Sequence, residues 1–296
     1  MIAQRFRGVG VALVTPFTES GSIDFDALER HVEYQVDGGV NMLVPCGTTG
    51  ESVTMSAAEQ AQVIEATVRA AAGRIPVMAG AGTNSTADGV DLAKAARDAG
   101  ADAILSVSPY YNKPSQAGLI RHYQAVAEAS GLPTFIYNVP GRTSSNVEAS
   151  TVLELAKVDN ITGVKEASGN LEQAMVILRD RPEGFVVLSG DDSLALSLIA
   201  AGADGVISVV ANEAPAQMAE LVEAALAGDF AAARDIHYRL LPLMQANFVE
   251  TNPVPVKAGL EMMGRMQARY RLPLVPLAEQ NRAPLERALR EAGLLE

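Results

Sequence analysis

The chain has 296 residues, of which 48% are hydrophobic and 20% are charged, a composition that excludes an intrinsically disordered protein. Its net charge of −12 and its lack of a basic cluster argue against nucleic acid and anionic membrane surfaces as partners. No apolar run approaches the ~18 residues of a membrane span, and the N-terminus lacks a cleavage site of small residues, so we expect a cytoplasmic protein.

Short apolar runs alternate with longer amphipathic segments as far as residue 210. The amphipathic segments place apolar residues at helical spacing, and Ser56, Ser85 and Ser115 are suited to be their N-caps. Several of these segments end at glycine, a common helix C-cap. The eight apolar runs are typical of strands and cover residues 8–14, 41–46, 76–81, 101–108, 133–138, 161–165, 185–190 and 205–210.

The order of these segments predicts the fold class. Near-continuous apolar strands joined by helices indicate a parallel sheet that is buried on both faces. Eight such units fit an α/β fold of the (β/α)8 TIM-barrel type. A doubly wound open sheet is the alternative, but no Gly-x-Gly-x-x-Gly fingerprint follows the first strand. We predict a barrel over residues 1–225 and a helical C-terminal extension, packed on the barrel, over residues 226–296.

Polar residues follow several of the predicted strands. The second run leads into "GTTGES" (47–52), the fourth into "SPYYN" (108–112), the fifth into "YNVPGRT" (137–143) and the seventh into "SGDDS" (189–193). Each segment alone has a structural explanation, such as a tight turn or a helix cap. In a barrel, however, the C-terminal strand ends meet at one mouth, which is where the active site lies. Their convergence therefore predicts a single site.

Lys165 ends the sixth apolar run and is the one lysine of five at the end of a strand. Burial disfavours an ammonium ion, and a neutral amine is a nucleophile. The alternative is a rim lysine whose stem covers apolar surface while its head reaches water. The neighbouring polar strand ends favour a catalytic lysine. Lys257, in "NPVPVK", lies beyond the eighth strand, and we assign it a structural role.

The polar loops also contain groups that suit an anionic substrate. The backbone N–H groups of "GTTGES" and the hydroxyls of Thr48 and Thr49 can surround a carboxylate. Arg142 can bind a second carboxylate with its planar fork. Tyr137 can move protons in a relay with Thr48 and another tyrosine.

Other chemistries have less support in the sequence. Cys46 has no histidine nearby and is expected to be a buried small apolar residue. There is no Walker loop and no Gly-x-Ser-x-Gly elbow. The histidines fall in helical segments without metal-ligand spacing, so we expect no metal site at His31, His122 or His237.

Six segments together resemble the dihydrodipicolinate synthases of the N-acetylneuraminate lyase superfamily of class I aldolases: "GTTGES", "SPYYNKPSQ", "YNVPGRT", "GVKEASGN", "LSGDDS" and "NPVPVK". The resemblance covers essentially the whole chain, and the arginine of "YNVPGRT" suits the synthase branch. It implies condensation of pyruvate with L-aspartate 4-semialdehyde on the route to diaminopimelate and lysine. It also implies a covalent lysine imine instead of a cofactor, and a homotetramer built as a dimer of dimers.

The same resemblance assigns roles to individual residues. Lys165 would form the pyruvate imine. A proton relay would consist of Tyr137, Thr48 and Tyr111, with Tyr111 contributed across a subunit interface. The substrate-binding groups would be the side chains of Thr48 and Thr49 for pyruvate, that of Arg142 for the semialdehyde, and the backbone of Ile207, which helps to seat the lysine.

Members of this family that lysine inhibits have a regulatory pocket at a dimer interface. Ala57 and Gln60 stand where some of those members have histidines, so the resemblance puts feedback inhibition in doubt. The positions that match this pocket are Ser52, Val53, Ala57, Gln60, Asn84, Asp88 and Tyr110.

Two other functions stay open at this point. A lyase for N-acetylneuraminate or a 2-keto-3-deoxy sugar acid would keep Lys165, Tyr137 and "GTTGE" but would not need Arg142 as a carboxylate clamp. A catalytically inactive barrel could sense pyruvate, although the intact pair of Lys165 and Tyr137 argues against it.

Overall fold

The structure, a computed structural model, describes residues 5–296 and has eight parallel strands at its centre. Every apolar run identified in the sequence coincides with one of them, with β6 extending one residue beyond its run, so the strand prediction is confirmed. The strands are β1 (Gly8–Ala12), β2 (Met42–Val44), β3 (Met78–Gly80), β4 (Ala103–Val107), β5 (Thr134–Asn138), β6 (Ile161–Glu166), β7 (Val186–Ser189) and β8 (Gly205–Ser208).

The strands form a closed barrel in the order β2-β1-β8-β7-β6-β5-β4-β3. A parallel bridge between Leu43 and Val77 joins β2 to β3. The N–H of Leu43 donates to Pro76 O at 3.0 Å, and the N–H of Gly80 donates to Pro45 O at 2.9 Å. Because these contacts leave no open edge, they exclude the doubly wound sheet and confirm the TIM barrel.

Helices surround the barrel and extend beyond it. The serines predicted as caps are confirmed, since Ser56, Ser85 and Ser115 each accept a backbone N–H in the first turn of a helix. In residues 5–296 the helices are α1 (Phe25–Asp37), α2 (Ala57–Ala71), α3 (Thr86–Asp98), α4 (Gln116–Ser130), α5 (Pro140–Thr143), α6 (Ala149–Leu155), α7 (Leu171–Asp180), α8 (Asp192–Ala200), α9 (Pro215–Leu226), α10 (Phe230–Ala246), α11 (Val254–Met262) and α12 (Glu279–Glu291).

The last three helices form the predicted C-terminal extension. α10 packs against α8, α9 and α12, and α11 packs against α12. Buried leucines hold these helices together, among them Leu240, Leu243, Leu285 and Leu289. The division after residue 225 remains a prediction, since α9 runs on to Leu226. No helix in the described range is long and apolar enough to cross a membrane.

Side chains fill the interior of the barrel below its C-terminal mouth. Phe6 and Phe135 meet edge to face, with ring centres 5.5 Å apart. Above them lie buried residues from successive strands, including Met42, Met78 and Leu188. The fold therefore brings the polar strand ends together over a solid apolar base.

Candidate active site

A cavity of about 440 Å³ opens at the C-terminal ends of the strands. The loops after β2, β4 and β5 contribute most of its lining. Seven of the residues singled out in the sequence line it: Thr48, Ser52, Val53, Tyr110, Tyr111, Tyr137 and Arg142. The predicted convergence of polar loops on one mouth is therefore present in the folded chain.

Lys165 is not among the residues that line the cavity, but it lies directly beside Tyr137, which is. The two residues are register partners on β6 and β5, and Lys165 Nζ lies 4.2 Å from the centre of the tyrosine ring. Only 6% of Lys165 and 7% of Tyr137 is exposed. This burial contradicts the interpretation of Lys165 as a rim lysine that reaches into water. It places an amine next to a phenol that can exchange protons with it.

A glycine on the neighbouring strand makes room for the lysine stem. Gly190 follows β7 directly, and a Cβ built on it would lie 3.1 Å from Lys165 Cε and 2.5 Å from Ala167 Cβ. The second distance is shorter than real carbon contacts allow. Any larger residue at position 190 would therefore displace the end of β6, on which Lys165 lies.

Two acids after β7 supply negative charge near Lys165. Burial raises the pKa of Asp191 and of Asp192, and the positive charge of Lys165 opposes the rise in both. Asp192 accepts hydrogen bonds from the N–H groups of Val209 (2.9 Å) and Val210 (3.0 Å), so it anchors the segment after β8. Nothing in the local sequence of "SGDDS" predicts this role.

The loop of residues 47–52, named here the carboxylate loop, follows β2. Cys46, just before it, has φ 57°, and Glu51, within it, has φ 55°, so both adopt the left-handed conformation. Between them the N–H of Glu51 donates to Thr48 O at 3.1 Å. A Cβ on Gly80 would lie 2.1 Å from Cys46 O, so only glycine fits there. Strained residues of this kind persist where surrounding contacts hold them.

Cys46 itself is not available for chemistry. It is buried, with 2% exposed, and its Sγ lies 3.6 Å from Gln60 O, to which it donates. Burial raises the pKa of the thiol, which disfavours the reactive thiolate. The expectation of a buried small residue is confirmed.

The two threonines of the carboxylate loop point to different partners. Thr48 lines the cavity. Thr49 is buried, and its hydroxyl accepts a hydrogen bond from Asn252 Nδ2 at 2.9 Å. Thr49 is not among the residues that line the cavity. Ile207 lies on β8 with its side chain buried in the barrel interior, so any role in seating Lys165 falls to its backbone.

Arg142 and Tyr111 are exposed, unlike the other predicted catalytic and substrate-binding residues. Arg142 is exposed in α5 and forms no salt bridge with residues 5–296, although the chain carries twelve excess negative charges. Tyr111 is 89% exposed and has φ 73°, an unusual conformation for an aromatic residue. Both therefore present polar groups to molecules outside this chain.

The positions that match the lysine pocket of relatives are divided in the structure. Ser52, Val53 and Tyr110 line the cavity, whereas Ala57, Gln60, Asn84 and Asp88 do not. The amide of Gln60 is engaged within its own chain, since its Nε2 donates to Ser52 O (3.0 Å) and Met55 O (3.2 Å).

None of the three histidines lines the cavity. His31 is buried against Asn212, at 2.9 Å, and His122 contacts Thr86 at 3.0 Å. His237 is buried in α10 of the extension. Within the described chain they do not meet in a cluster that could hold a metal ion.

A closed (β/α)8 barrel with a buried lysine beside a tyrosine near the C-terminal strand ends fits an enzyme of the lyase class. The sequence model of the dihydrodipicolinate synthetase family matches residues 5–292 of the chain. The chain belongs to this family.

Individual relatives agree with that assignment. The chain is 52% identical to 4-hydroxy-tetrahydrodipicolinate synthase of Koribacter versatilis over 98% of this chain and 97% of the relative. The pyruvate complex of the chloride-inhibited dihydrodipicolinate synthase from Acinetobacter baumannii has a TM-score of 0.96, 46% identity and coverage of 98% and 99%. The lysine-bound enzyme from Cyanidioschyzon merolae has a TM-score of 0.96, 38% identity and the same coverage.

Proposed function

We propose that the chain condenses pyruvate with L-aspartate 4-semialdehyde, the activity of 4-hydroxy-tetrahydrodipicolinate synthases in diaminopimelate and lysine biosynthesis. The observation that carries the proposal is Lys165, buried beside Tyr137, which itself lines the cavity. The relatives of about 50% identity bear the name of this synthase. We place the reaction in the cytoplasm, with the rest of amino-acid biosynthesis.

The first step forms an imine between Lys165 and pyruvate. The lysine amine attacks the ketone carbon, and the carbonyl oxygen leaves as water after protonation. The resulting iminium withdraws electrons, so the pyruvate methyl group loses a proton and becomes an enamine. Because the iminium is the electron sink, the step requires neither a metal nor an organic cofactor. The carboxylate loop would hold the pyruvate carboxylate through Thr48, Thr49 and backbone N–H groups.

Proton transfer in these steps would pass through a relay of Tyr137, Thr48 and Tyr111. Tyr137 and Thr48 both line the cavity. Tyr111 is 89% exposed in a single chain, which suits a side chain that completes the site of a neighbouring subunit. We therefore propose that the active form is a homotetramer, a dimer of dimers, in which Tyr111 crosses an interface.

The second substrate brings its own carboxylate, for which Arg142 is the proposed partner. The enamine carbon attacks the aldehyde carbon held near Arg142, which forms the new carbon–carbon bond, restores the Lys165 iminium and turns the aldehyde oxygen into a hydroxyl group once it is protonated. The amino group of the semialdehyde then displaces Lys165 from the imine carbon, which closes the ring and frees the amine. A lyase for a sugar acid is less well supported, because an exposed arginine at the cavity suits a carboxylate better than a polyol.

The test is reductive trapping of the imine. Borohydride with pyruvate should add a reduced three-carbon group to the peptide that contains Lys165, and the Lys165→Ala variant should gain none. An adduct on Lys257, or no adduct on the wild-type chain, would contradict the proposal. Addition of the semialdehyde before borohydride should lower the yield of the adduct, whereas N-acetylmannosamine, the aldehyde partner of a sugar acid lyase, should not.

A further inference from the structure

Lys257 is the most deeply buried lysine of the chain, and it lies beneath the carboxylate loop. None of its side chain is exposed, and its Nζ donates to Glu51 Oε1 at 2.7 Å and to Thr15 O at 2.9 Å. The rings of Phe17 and Tyr270 lie 4.5 and 5.2 Å from Nζ. The ammonium is thus surrounded by one carboxylate, one carbonyl and two aromatic faces, and it is separate from the cavity.

These contacts reach the backbone of the carboxylate loop. Glu51, the acid of the ion pair, has the left-handed φ of 55° and donates its N–H to Thr48 O. Thr15, which accepts from Lys257 through its carbonyl, donates its hydroxyl to Gly50 O at 2.7 Å. The Lys257 ammonium therefore holds two successive residues of the carboxylate loop. It contacts Glu51 directly and Gly50 through Thr15.

A second buried contact joins the extension to the same loop. Asn252 lies in the segment before α11, five residues before Lys257, and donates to Thr49 Oγ1 at 2.9 Å. Both contacts come from "NPVPVK", which the chain carries beyond the barrel. Apolar residues of similar volume could occupy the positions of Glu51 and Lys257, and such residues often stabilise a protein as much as a buried ion pair does. A buried pair with a defined direction instead fixes the geometry of the groups it joins.

We propose that Lys257, through Glu51, is a positioning residue that orients the carboxylate loop for the carboxylate of pyruvate. The inference rests on the proposed function. Catalysis requires the ketone carbon to meet Lys165 at reacting distance, and a shift of about 1 Å can cost on the order of 100-fold in rate. Lys257 acts on the carboxylate end of the substrate and leaves the amine of Lys165 untouched.

The experiment compares two ketones that differ only at the group the loop binds. Pyruvate carries a carboxylate, and acetone carries a methyl group in its place. Borohydride trapping on Lys165 is measured with each ketone, and the ratio of the two rates reports the contribution of the carboxylate. A change in overall stability alone would lower both rates together and leave this ratio unchanged.

Replacing one member of the pair leaves a buried unpaired charge, which can prevent folding. The main variant is therefore the double substitution Glu51→Gln with Lys257→Met, which removes both charges at similar volume. We expect its pyruvate trapping to fall about 10- to 100-fold, with acetone trapping within about twofold of the wild type. The KM for pyruvate should rise, while the KM for the semialdehyde should change little.

Two further variants keep the inference testable if the double variant does not fold. Asn252→Ala removes the other contact to the loop and should lower the pyruvate-to-acetone ratio in the same direction. Gln217→Ala is the control, because it removes a hydrogen bond of 2.8 Å to Ala292 O between α9 and the end of the chain, far along the sequence from the loop. The control should leave the ratio unchanged.

The possible outcomes separate the inference from the proposed function. A wild-type chain without an adduct on Lys165 would contradict both. A wild-type adduct combined with an unchanged ratio in the folded double variant and in Asn252→Ala would overturn the inference alone. An equal loss with both ketones would also overturn it, since that result indicates a general structural effect.

Discussion

Two lysines of this chain are buried, and their surroundings give them different chemistry. Lys257 donates to a carboxylate at 2.7 Å and to a carbonyl at 2.9 Å, so its ammonium is tied to fixed partners. Burial lowers the pKa of Lys257, while the charge of Glu51 opposes that change. Lys165 has no hydrogen-bond acceptor among the contacts of residues 5–296, and a tyrosine ring is its neighbour. Its amine is therefore available to a substrate.

Arg142 allows a test at the level of a single residue. We expect Arg142→Ala to weaken transition-state stabilisation for the semialdehyde by about 2–4 kcal/mol, because the substrate carboxylate would lose its cation. Imine formation with pyruvate should be largely unchanged. The measurement is kcat/KM for each substrate, together with the borohydride assay. Arg121→Ala, an exposed arginine on α4, is the control for loss of one positive charge. Loss of pyruvate trapping with unchanged semialdehyde kinetics would show that Arg142 binds pyruvate and not the semialdehyde.

His31 makes stability depend on pH. Its pKa is lowered from 6.5 to about 4, chiefly because burial disfavours the imidazolium. Below pH 6.5 the unfolded chain gains a proton that the folded chain excludes, so stability falls as the pH decreases towards 4. The loss amounts to about 3 kcal/mol, at ~1.4 kcal/mol per pKa unit. We expect His31→Gln to lose less stability than the wild type between pH 7 and pH 4 in urea unfolding. Parallel losses in the two proteins would show that His31 does not contribute.

At the scale of single elements, local sequence patterns predicted most of what the structure shows. Apolar runs marked all eight strands, and serines marked three helix starts, because burial and capping are short-range properties. The strand β2 ends at Val44, before the predicted residue 46, because Cys46 already has a left-handed backbone. The short helix α5 was not predicted, although its start at Pro140 is a recognised N-terminal signal.

The contacts that sequence patterns could not predict are those between distant segments. Lys257 and Glu51 are 206 positions apart, and Asn252 and Thr49 are 203 apart. Periodicity and capping rules describe neighbours along the chain and carry no information about such pairs. Asp192 illustrates the same limit, since its partners Val209 and Val210 lie in the segment after the next strand. The sequence therefore located the mouth and its lysine, but not the contacts that hold the mouth in shape.

The close contact between Gly190, which follows β7, and Ala167, which follows β6, can be tested by substitution. We expect Gly190→Ala to slow pyruvate imine formation, because the added Cβ would lie 2.5 Å from Ala167 Cβ and force the end of β6 to move. Overpacking of this kind costs about 1–3 kcal/mol. Gly141→Ala is the matched control, since a Cβ there would meet nothing within 4 Å. The rate of borohydride trapping is the measurement, and equal rates in the two variants would contradict the prediction.

At the scale of the whole molecule, the resemblance to relatives that lysine inhibits gives a prediction about regulation. Asn84, Asp88 and Tyr110 match the regulatory pocket of relatives, but Ala57 has no polar side chain, and Gln60 Nε2 already binds Ser52 O and Met55 O. The relative from Cyanidioschyzon merolae is described with lysine bound. Loss of two polar contacts would weaken a small ligand by about 2–3 kcal/mol.

We therefore expect L-lysine to inhibit this enzyme weakly or not at all. An inhibition curve at fixed pyruvate should show half-inhibition above about 1 mM, which corresponds to roughly −4 kcal/mol of binding free energy. Sodium chloride at the concentration of lysine hydrochloride is the control, because the relative from Acinetobacter baumannii is described as chloride inhibited. Half-inhibition below 1 mM, in excess of the salt effect, would show that a functional lysine pocket is present.

The ion pair between Glu51 and Lys257 also has a consequence for how the protein is made. A ribosome synthesises residue 51 long before residue 257, and the whole barrel sequence, with Lys165 and Tyr137, is present before the lysine partner of Glu51 emerges. A nascent chain that ends before residue 252 would lack both anchors of the carboxylate loop. If those anchors set the geometry of the loop, full affinity for pyruvate is acquired only after residue 257 has been synthesised and has packed against the barrel.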